Sequence, residues 1–442
     1  MNDRPNILFV FTDQQSATAM SCAGNPDLRT PAMDSLAAEG VRFDLGYCSQ
    51  PLCTPSRASM FSGCLPHSIK TLANGAGIPP ERRGQELGVL LTGAGYDCVY
   101  GGKWHVPEIA MPADNDHGFR VIGPWDDNRL TPACVEFLQR HAEQPAKERR
   151  PFFMVASYDD PHNVCEAARG QRLPWGPLPE PPAPADCPNL PANFAIPAYE
   201  PEIIRLEQAA HPMVYAGPRY SPDDWRRLRW QYFRLVERVD AHLARLLEAL
   251  RQTGLEENTV VVFSSDHGDG HGAHQWNQKS VLYEESVRVP IIVRAPGGRK
   301  GAVDAERLAS IGLDLLPTLC DYAGARLPEG LPGRSLRPLV EGTPAEWRDH
   351  LVIETRFDDW RGRHGFGSQG RCVRTARTKY VAYDTGLLRE QLFDLVADPG
   401  EMVNLAVESR QRDRLHQHRA LLLDHCRRTK DAFPVPGHET AK

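Results

Sequence analysis

Short apolar runs that alternate with segments of helical periodicity constrain the fold of this chain more than any other feature. The runs cover residues 7–11, 97–100, 152–156, 259–263 and 291–293, and helical patterns cover residues 30–39, 131–141 and 222–251. Each apolar run is bounded by turn residues and is too short for a helix. The alternation predicts an α/β fold with a large, mostly parallel sheet flanked by helices.

The pattern changes after residue 350. Residues 370–373 and 378–383 have the alternation of a hairpin, L-F-D-L-V-A-D-P-G-E adds a strand and a turn, and residues 408–427 have the pattern of a final helix. We therefore expect a large α/β domain over residues 1–350 and a smaller α+β C-terminal subdomain over residues 351–442.

A proline-rich stretch interrupts the first domain at about residues 171–202. It contains W-G-P-L-P-E-P-P-A-P-A-D-C-P, and the fixed φ and missing N–H of proline exclude a regular helix or an interior strand. A structureless loop of this length is uncommon in a compact domain. We expect either a lid beside the functional site or a plain wrap over the surface.

The charge and the cysteine content limit the binding partners and the cellular compartment that we expect. Lys and Arg total 51 against 57 Asp and Glu, a net charge of −6, which offers no basic face to nucleic acid or to an anionic membrane. No apolar run approaches the roughly 20 residues of a membrane span, and the first residues do not resemble a signal peptide. Eleven cysteines without a C-x-x-C pair match neither a disulfide framework nor a zinc site. We expect a cytoplasmic protein without nucleic-acid or membrane partners, and a homo-oligomer stays open.

Chemically capable side chains follow four of the predicted strands. Asp13 and Gln14 follow the first strand, Lys103 and His105 the second, Asp160 and His162 the third, and Asp266 and His267 the fourth. Ligands of open parallel sheets bind beyond the carboxyl ends of the strands. These residues therefore predict one shared site.

Two of the pairs, Asp13 with Gln14 and Asp266 with His267, predict a metal site. Their oxygen-rich side chains suit a hard divalent cation, with Ca²⁺ the first expectation and Mn²⁺ or Mg²⁺ as alternatives. A single aspartate after a strand is often only a helix N-cap. Two such pairs at separate strand ends favour the metal.

The histidine-rich run H-G-D-G-H-G-A-H, residues 267–274, raises a two-metal alternative. A second ion would need further carboxylates, which are not evident in the sequence, and the glycines indicate a loop. We expect His271 and His274 to fix this loop or to support a single metal from outside its ligand set.

The stretch S-Q-P-L-C-T-P-S-R-A-S-M-F-S-G places Cys53 at the start of a short predicted helix. Thr54 is the expected N-cap, Pro55 lies in the first turn, and Gly63 ends the helix. The positive end of the helix and the guanidinium of Arg57, one turn on, predict a site for a tetrahedral oxyanion such as sulfate or phosphate. The alternative is a small, buried structural cysteine.

Lys103 and His105, in G-G-K-W-H, follow a glycine turn where the backbone can approach a ligand closely. A lysine beside an anion site supplies positive charge, and a histidine titrates near neutral pH and can carry a proton. The pair predicts a charge clamp with a proton carrier for the same oxyanion.

Ordered motifs along nearly the whole chain resemble the formylglycine-dependent, type I sulfatase family of the alkaline phosphatase superfamily. C-T-P-S-R, continued by A-S-M-F-S-G, is similar to the family's C-x-P-S-R signature, and G-Y-D-C-V-Y-G-G-K-W-H is similar to its second signature. N-I-L-F-V-F-T-D-Q, S-S-D-H-G, the block that follows Lys279 and L-F-D-L-V-A-D-P-G-E-M-V-N-L complete the family's order. The resemblance implies an alkaline phosphatase-like fold and the hydrolysis of sulfate esters.

The resemblance also implies a modified residue and a set of roles. In the family a maturation enzyme oxidises the signature cysteine, here Cys53, to formylglycine before folding. One hydroxyl of the hydrated aldehyde attacks sulfur and the other expels sulfate. The implied roles are metal binding for Asp13, Gln14, Asp266 and His267, binding of the diol and sulfate for Arg57 and Lys103, assistance to the elimination for His105, contact near the leaving oxygen for His162 and Lys279, and contact with the transferred group for Asn74.

Three positions near the predicted site depart from the family's common pattern. Gln14 stands where many members have a second aspartate, His267 where many have asparagine, and Asp159 where many have the first histidine of H-x-P-H. A phosphonate monoester or phosphodiester hydrolase is therefore one alternative, against which Lys103 and His105 argue, because relatives of that type carry uncharged residues there. The other alternative is a non-catalytic binder of sulfated ligands in which the cysteine stays a thiol.

The expected substrate is a small sulfate monoester. A sulfated carbohydrate is favoured, with aryl sulfates as artificial substrates. The proline-rich stretch, its sequel and the C-terminal subdomain could supply the rim of the site. The candidate rim residues are Arg205, His211, Tyr215, Arg219, Tyr220, Arg356, Arg361 and His364.

Overall fold

An eight-stranded sheet forms the centre of the protein, and a four-stranded sheet lies in its C-terminal part. A computed structural model describes residues 4–145, 147–215, 217–357 and 367–438. The strands are β1 (Asn6–Asp13), β2 (Val41–Phe43), β3 (Gly46–Tyr47), β4 (Asp97–Gly102), β5 (Arg120–Gly123), β6 (Phe152–Pro161), β7 (Thr259–Ser265), β8 (Ile291–Arg294), β9 (Ala302–Asp304), β10 (Ala309–Ser310), β11 (His350–Arg356), β12 (Gln369–Thr375), β13 (Thr378–Tyr383) and β14 (Glu390–Asp394).

The large sheet is mostly parallel, which confirms the predicted fold class. Its strand order is β5-β4-β6-β1-β7-β8-β2-β9, and only β8 runs antiparallel to its neighbours. β1 lies in the middle, where Val10 pairs with Ala156 of β6 and with Phe263 of β7. All five predicted apolar runs lie in this sheet.

Helices connect the strands and cover the sheet. They are α1 (Pro31–Ala38), α2 (Cys53–Ser62), α3 (Pro80–Arg83), α4 (Leu87–Gly93), α5 (Asp127–Glu143), α6 (Val164–Ala168), α7 (Glu202–Ala210), α8 (Pro222–Gln252), α9 (Glu284–Val287), α10 (Ile311–Ala323), α11 (Arg337–Glu341) and α12 (Arg412–Thr429). The three predicted helical stretches correspond to α1, α5 and α8. Among the described residues, no helix combines the length and the apolar character needed to cross a bilayer.

Both faces of the large sheet are buried, as expected for parallel strands with helices on either side. In β1, Ile7 and Phe9 pack into one hydrophobic core, whereas Leu8 and Val10 pack into another. α2, α4 and α10 contribute to the first core, and α1, α5 and α8 contribute to the second. The side-chain alternation of a strand therefore places two layers of helices around one sheet.

Helix α2 begins two residues earlier than the sequence predicts. Cys53 is its first residue and the extended Leu52 precedes it. Thr54 therefore lies in the first turn, and its predicted role as the N-cap is wrong. Its hydroxyl instead donates to the carbonyl of His105 at 2.7 Å, which is a tertiary contact that the local pattern does not contain. Gly63 ends the helix in the left-handed region, with φ 67°, as predicted.

The C-terminal part is α+β. Strands β11 to β14 form an antiparallel sheet in sequential order, and the predicted hairpin is the pair β12 and β13. α12 packs on this sheet through Leu415 and Leu422, and it begins after two short 3-10 turns, later than the predicted 408–427. The sheet begins at His350, while the predicted division of the chain into domains at residues 350 and 351 stays a prediction.

The proline-rich stretch runs over helix α8. Residues 171–201 contain one 3-10 turn, Pro184–Asp186, and otherwise no helix or strand. Arg226 of α8 donates to the carbonyls of Cys187 and Pro188 at 3.0 and 3.3 Å. Of the two interpretations, these contacts support the surface wrap.

Candidate active site

Four buried side chains from three elements converge at the carboxyl edge of the large sheet. Asp13 ends β1, Cys53 begins α2, and Asp266 and His267 follow β7. One potential ligand atom of each lies within 4.8 Å of those of the other three, and none of the four residues is more than 1% exposed. β1 and β7 bring the two aspartates together because they are paired in parallel. We call these residues the four-residue cluster.

The Cys53 sulfur is the point where the charged groups of the site meet. Lys279 Nζ donates to it at 3.0 Å, His267 Nε2 lies 3.3 Å away and Asp13 Oδ1 lies 3.6 Å away. Burial and Asp13 would raise the pKa of the thiol, but Lys279 and His267, helped by a hydrogen bond from the His105 side chain, hold it well below its usual value. Cys53 is therefore not an inert core cysteine.

Arg57 joins the two carboxylates of the cluster. Its Nη2 pairs with Asp13 Oδ2 at 3.0 Å and its Nε pairs with Asp266 Oδ2 at 2.7 Å. Its Nη1 donates to the Lys103 carbonyl at 2.6 Å and to the Ser157 hydroxyl at 3.0 Å. A completely buried guanidinium with these partners orients the carboxylates. Its implied contact with the diol and sulfate stays a prediction.

Lys103 lies between two carboxylates. Its Nζ is 2.8 Å from Asp13 Oδ2 and 2.8 Å from Asp159 Oδ1. Burial would lower the pKa of Lys103, but Asp13 and Asp159 raise it well above its usual value, so the side chain is charged. Asp159, to which the sequence assigned no role, is fixed in turn, because Asp127 accepts the backbone N–H groups of Asp159 and Asp160 at 2.9 Å each.

Gln14 lies beside the four-residue cluster and binds Lys279. Its Oε1 accepts from Lys279 Nζ at 2.9 Å, and its Nε2 donates to Asp269 Oδ2 at 2.6 Å. Its backbone, in the left-handed region at φ 76°, donates to Asp266 Oδ1 at 3.1 Å. In this arrangement Gln14 directs the lysine toward Cys53, and its implied role as a metal ligand stays a prediction.

Three further predicted residues surround the cluster. His105 is half-buried in the left-handed region at φ 58°, and its Nδ1 has no hydrogen-bond partner among the described residues. Burial, Lys103 and Lys279 lower the pKa of His162 well below its usual value, so its imidazole lies in the field of both lysines. Asn74 is exposed, and its Oδ1 accepts the Thr54 N–H at 3.1 Å at the start of α2.

His271 and His274 fix the loop that follows β7. His271 Nδ1 bonds to Arg229 at 2.8 Å, and its ring stacks on Tyr232. The ring of His274 stacks on Tyr283 with centroids 3.8 Å apart. Burial lowers the pKa of each imidazole to about 3, so both are neutral at physiological pH. These contacts support the loop-fixing interpretation.

Two carboxylates that the sequence did not indicate lie near His274. Glu285 and Glu401 each place an oxygen within 4.8 Å of a His274 ring nitrogen. Protein donors already bind these groups, however. Asn193 Nδ2 donates to Glu285 at 2.8 Å and lies 3.3 Å from His274 Nε2, and Lys379 Nζ pairs with Glu401 at 2.8 Å. This group therefore does not support a second metal.

Several candidate rim residues take part in contacts within the protein. Arg205 donates to both carboxylate oxygens of Glu200 at 2.6 and 2.8 Å, and Tyr215 is only 4% exposed. Arg361 and His364 lie outside the described residues. The rim role stays a prediction for Arg205, His211, Tyr215, Arg219, Tyr220 and Arg356.

The donor set of the four-residue cluster fits a hard divalent cation. Burial would raise the pKa of Asp13, but Lys103, His162 and Lys279 hold it well below its usual value. Burial and Asp13 raise the pKa of Asp266, as expected for two carboxylates that share a buried site. A divalent cation between them would relieve their repulsion, and carboxylate oxygens favour Ca²⁺, Mg²⁺ or Mn²⁺.

Comparison with known proteins gives matches over nearly the whole chain. The sequence pattern of the family described as Sulfatase matches residues 5–325, and the pattern described as N-sulphoglucosamine sulphohydrolase, C-terminal, matches residues 272–427. A Delta 4,5-hexuronate-2-O-sulfatase of Bacteroides thetaiotaomicron is 30% identical over 455 residues, which cover 98% of this chain and 90% of the relative.

Solved structures match as well. A 2-O GAG sulfatase superposes with a TM-score of 0.84 at 28% identity, covering 97% of this chain and 93% of its own. The phosphonate monoester hydrolase of Agrobacterium radiobacter superposes with a TM-score of 0.78 at 23% identity, covering 96% of each chain. At that identity the second likeness is one of fold alone.

The two family patterns together span the architecture described above. The first covers every strand of the large sheet and the whole four-residue cluster, and the second covers the four-stranded sheet. The family predicted from the ordered motifs is therefore confirmed. This chain belongs to the sulfatase family of the alkaline phosphatase superfamily and is a hydrolase of sulfate esters.

Proposed function

We propose that the protein hydrolyses a sulfate monoester of a carbohydrate, using one divalent cation and a formylglycine made from Cys53. The convergence on the Cys53 sulfur of Asp13, His267 and Lys279, at 3.6, 3.3 and 3.0 Å, carries the proposal. A side chain at this point adjoins candidate metal ligands and an ammonium group at once. A nucleophile that attacks a sulfate ester needs both neighbours, because negative charge must be drawn from the sulfate oxygens.

Asp13, Asp266 and His267 are the residues that would hold the cation, together with residue 53 after its modification. When bound, the cation would act as a Lewis acid on the sulfate oxygens. Ca²⁺ is our first expectation, with Mn²⁺ or Mg²⁺ as alternatives. Arg57 prepares this site because it binds each of the two carboxylates through a different nitrogen.

Cys53 is the residue that we expect a maturation enzyme to oxidise. It is 1% exposed and is the first residue of α2, so an enzyme cannot readily reach it in the folded chain. This burial supports modification before folding. The hydrated formylglycine would supply a hydroxyl that attacks sulfur and a second hydroxyl that allows the release of sulfate.

Lys103, His105 and Lys279 are the donors that we expect to bind the sulfate oxygens. Lys279 and His105 contact the Cys53 position directly. Asp159 holds Lys103 Nζ at 2.8 Å, so this charge is in place before the substrate arrives and reorganisation costs little. His162 and Lys279 are our candidates for the group that gives a proton to the leaving alcohol.

Carbohydrate is the proposed substrate class because relatives that align with nearly the whole chain are named for carbohydrate substrates. The sequence relative is a hexuronate 2-O-sulfatase and the solved structure is a 2-O GAG sulfatase. Aryl sulfates are the expected artificial substrates. The position of the sulfate on the sugar is a question for the substrate panel.

A phosphonate monoester or phosphodiester hydrolase is the second candidate, favoured by the fold of the solved phosphonate hydrolase. Lys103 and His105 argue for sulfate, because the Lys103 ammonium adds positive charge 2.8 Å from Asp13 and His105 contacts the Cys53 position. A third candidate is a non-catalytic binder of sulfated ligands, which applies if the cysteine is never converted.

Turnover of a substrate panel tests the proposal. The panel contains sulfated mono- and disaccharides, an aryl sulfate, choline sulfate and a phosphonate monoester, each measured after metal depletion and after addition of Ca²⁺, Mn²⁺ or Mg²⁺. We expect metal-dependent release of sulfate from a saccharide and from the aryl sulfate. Faster hydrolysis of the phosphonate than of every sulfate ester would favour the second candidate.

Mass spectrometry of the peptide that contains Cys53 tests the modification separately. A host with maturation machinery should yield a peptide whose mass corresponds to an aldehyde or its hydrate in place of the thiol. If sulfur is retained in every molecule and no ester is hydrolysed, the protein is the non-catalytic binder.

A further inference from the structure

An exposed pair of tryptophans lies outside the hydrophobic cores. Trp125 is 38% exposed and Trp175 is half-buried. Their ring centroids are 6.1 Å apart and their planes meet at 79°. Neither ring is among the core residues found in the described part of the chain. Large aromatic rings left partly in water are typical of binding surfaces, because an apolar body with one polar N–H suits a partly wet contact.

The pair lies at the same edge of the large sheet as the proposed active site. Trp125 follows the end of β5 at Gly123 by two residues. β5 is parallel to β4, and β4 is parallel to β6, so the segments after these three strands leave the sheet at one edge. Lys103 follows β4 and His162 follows β6. The topology therefore places Trp125 at the same edge of the sheet as Lys103 and His162.

A short series of contacts joins Trp125 to the four-residue cluster. Asp127, two residues further along the chain, accepts the N–H of Asp159 at 2.9 Å. The Asp159 carboxylate lies 2.8 Å from Lys103 Nζ, which lies 2.8 Å from Asp13 of the cluster. Only a few side chains therefore separate the exposed ring from the site.

The backbone of Trp175 is fixed against the same segment. Its carbonyl accepts Asn128 Nδ2 at 3.1 Å and Arg238 Nη1 at 3.3 Å, and Arg238 Nε pairs with Asp160 Oδ2 at 2.6 Å. Asn128 lies in the first turn of α5, three residues after Trp125. Because these bonds order the surface in advance, binding there would cost little conformational entropy.

We propose that Trp125 and Trp175 form a saccharide subsite that binds a sugar ring of an oligosaccharide whose sulfated residue lies at Cys53. This inference rests on the proposed function. Pyranose C–H bonds carry partial positive charge and stack on the negative face of an indole ring. The exposed Arg129, also in the first turn of α5, adds positive charge for a sulfate or carboxylate on a neighbouring sugar. The enzyme would therefore prefer chains to monosaccharides.

Equilibrium binding tests the subsite. The protein is the full-length chain with Cys53→Ala, loaded with Ca²⁺, and the probes are a heparin disaccharide, a heparin hexasaccharide and a carrageenan hexasaccharide, measured by calorimetry. We expect one of the hexasaccharides to bind roughly tenfold more tightly than the disaccharide. Trp125→Ala should remove this preference, and Trp125→Phe should retain part of it because the smaller ring still stacks.

Leu327→Ala is the matched control, because Leu327 is 41% exposed and follows α10, whose C-cap Gly324 lies against Arg4 at the opposite edge of the sheet. It should keep the preference for the longer chain. The subsite is overturned if the starting protein shows no preference for either hexasaccharide, or if Trp125→Ala keeps the preference. Failure of the proposed function is a separate result. It would be shown if the mature wild-type enzyme hydrolysed no sulfate ester in the substrate panel.

Discussion

Two buried clusters of charge occupy different places in the molecule. The catalytic charge cluster consists of Asp13, Asp266, Arg57, Lys103 and Lys279. The junction charge cluster consists of Glu284, Glu401, Lys379 and Arg374. In the second, Lys379 Nζ lies 3.1 Å from Glu284 and 2.8 Å from Glu401, and Arg374 lies 3.4 Å from Glu284. Both clusters pair acids with bases at similar distances and with similar burial.

The clusters differ in what their members surround. The junction charge cluster joins α9 in the first part of the chain to β12 and β13 of the small sheet, and its charges face one another. The catalytic charge cluster lies at one edge of one sheet, and two of its opposite charges, Asp13 and Lys279, meet at the side chain of Cys53. Buried ion pairs alone are therefore weak evidence of function. Convergence of opposite charges on a third, reactive atom is the feature that separates the two.

The strongest test of this comparison removes the atom on which the catalytic charge cluster converges. We expect Cys53→Ala to reduce sulfate ester turnover by at least about 10³-fold, because a methyl group can supply no nucleophile. The free energy of unfolding should change by less than about 1 kcal/mol, since Asp13 and Asp266 keep Arg57. Steady-state kinetics on an aryl sulfate and a urea melt measure the two effects. Near-native turnover by this variant would contradict the mechanism.

Removing one lysine from each cluster sharpens the comparison further. Lys103→Met should lower kcat/KM by roughly 10²-fold or more. It should also cost about 3 kcal/mol of stability, because Asp13 keeps Arg57 but the buried Asp159 loses its cation. Lys379→Met should also cost about 3 kcal/mol, because it leaves the buried Glu401 without its cation, but it should leave kcat/KM of the folded protein nearly unchanged. Paired measurements of kcat/KM and of urea unfolding on both variants check the contrast.

Two results for these lysine variants would contradict the distinction between a catalytic and a structural cluster. If Lys379→Met lowers kcat/KM in the folded protein as much as Lys103→Met does, then the junction charge cluster also contributes to catalysis. If Lys103→Met mainly unfolds the protein, then Lys103 is a structural residue.

Metal removal is expected to act on one cluster only. Added Ca²⁺ at about 100 times its dissociation constant should raise the free energy of unfolding by about 2.7 kcal/mol. Asp266→Asn should abolish the increase, whereas Glu401→Gln should keep it, because Asn193 and Lys379 already bind the acidic group near His274. Thermal melts with chelator and with each cation measure this difference. If Glu401→Gln loses the stabilisation by Ca²⁺ and Asp266→Asn keeps it, then the cation binds at the junction charge cluster and not at the four-residue cluster.

The sequence predicted the elements of the catalytic charge cluster because they are local. Asp13 and Asp266 each follow an apolar run within three residues, and runs of that kind form central strands in parallel sheets. The contact between Lys103 and Asp159 was not predictable, because it spans 56 residues and depends on the pairing of β4 with β6. For the same reason the bond from Lys279 to Gln14, which spans 265 residues, appears only in the folded chain.

The junction charge cluster was missed entirely for a related reason. Glu284 and Lys379 stand in ordinary helix and strand patterns, and nothing local distinguishes them from surface charges. Thr54 illustrates the opposite error. Its sequence position before a proline is typical of an N-cap, but a tertiary bond to His105 takes its hydroxyl. Local patterns thus predicted where elements lie, whereas long-range register decided which charges meet.

The smallest expected effect is a pH-dependent change in stability. It concerns the pair of His67 and Glu354, which also joins the first part of the chain to the small sheet. Burial would lower the pKa of His67, but its bond to Glu354 at 2.6 Å and the charge of Asp431 raise it above its usual value. A raised folded-state pKa stabilises the protein below the unfolded pKa of about 6.5, and this stability is lost as pH rises through the folded value. His67→Gln should therefore be less stable than wild type at pH 5.5 by about 1 kcal/mol, and the difference should shrink at pH 8.5. Urea melts at both pH values measure this difference in the free energy of unfolding. His416→Gln is the control, because His416 is exposed. A difference that grows with pH would show that the imidazole binds as the neutral form.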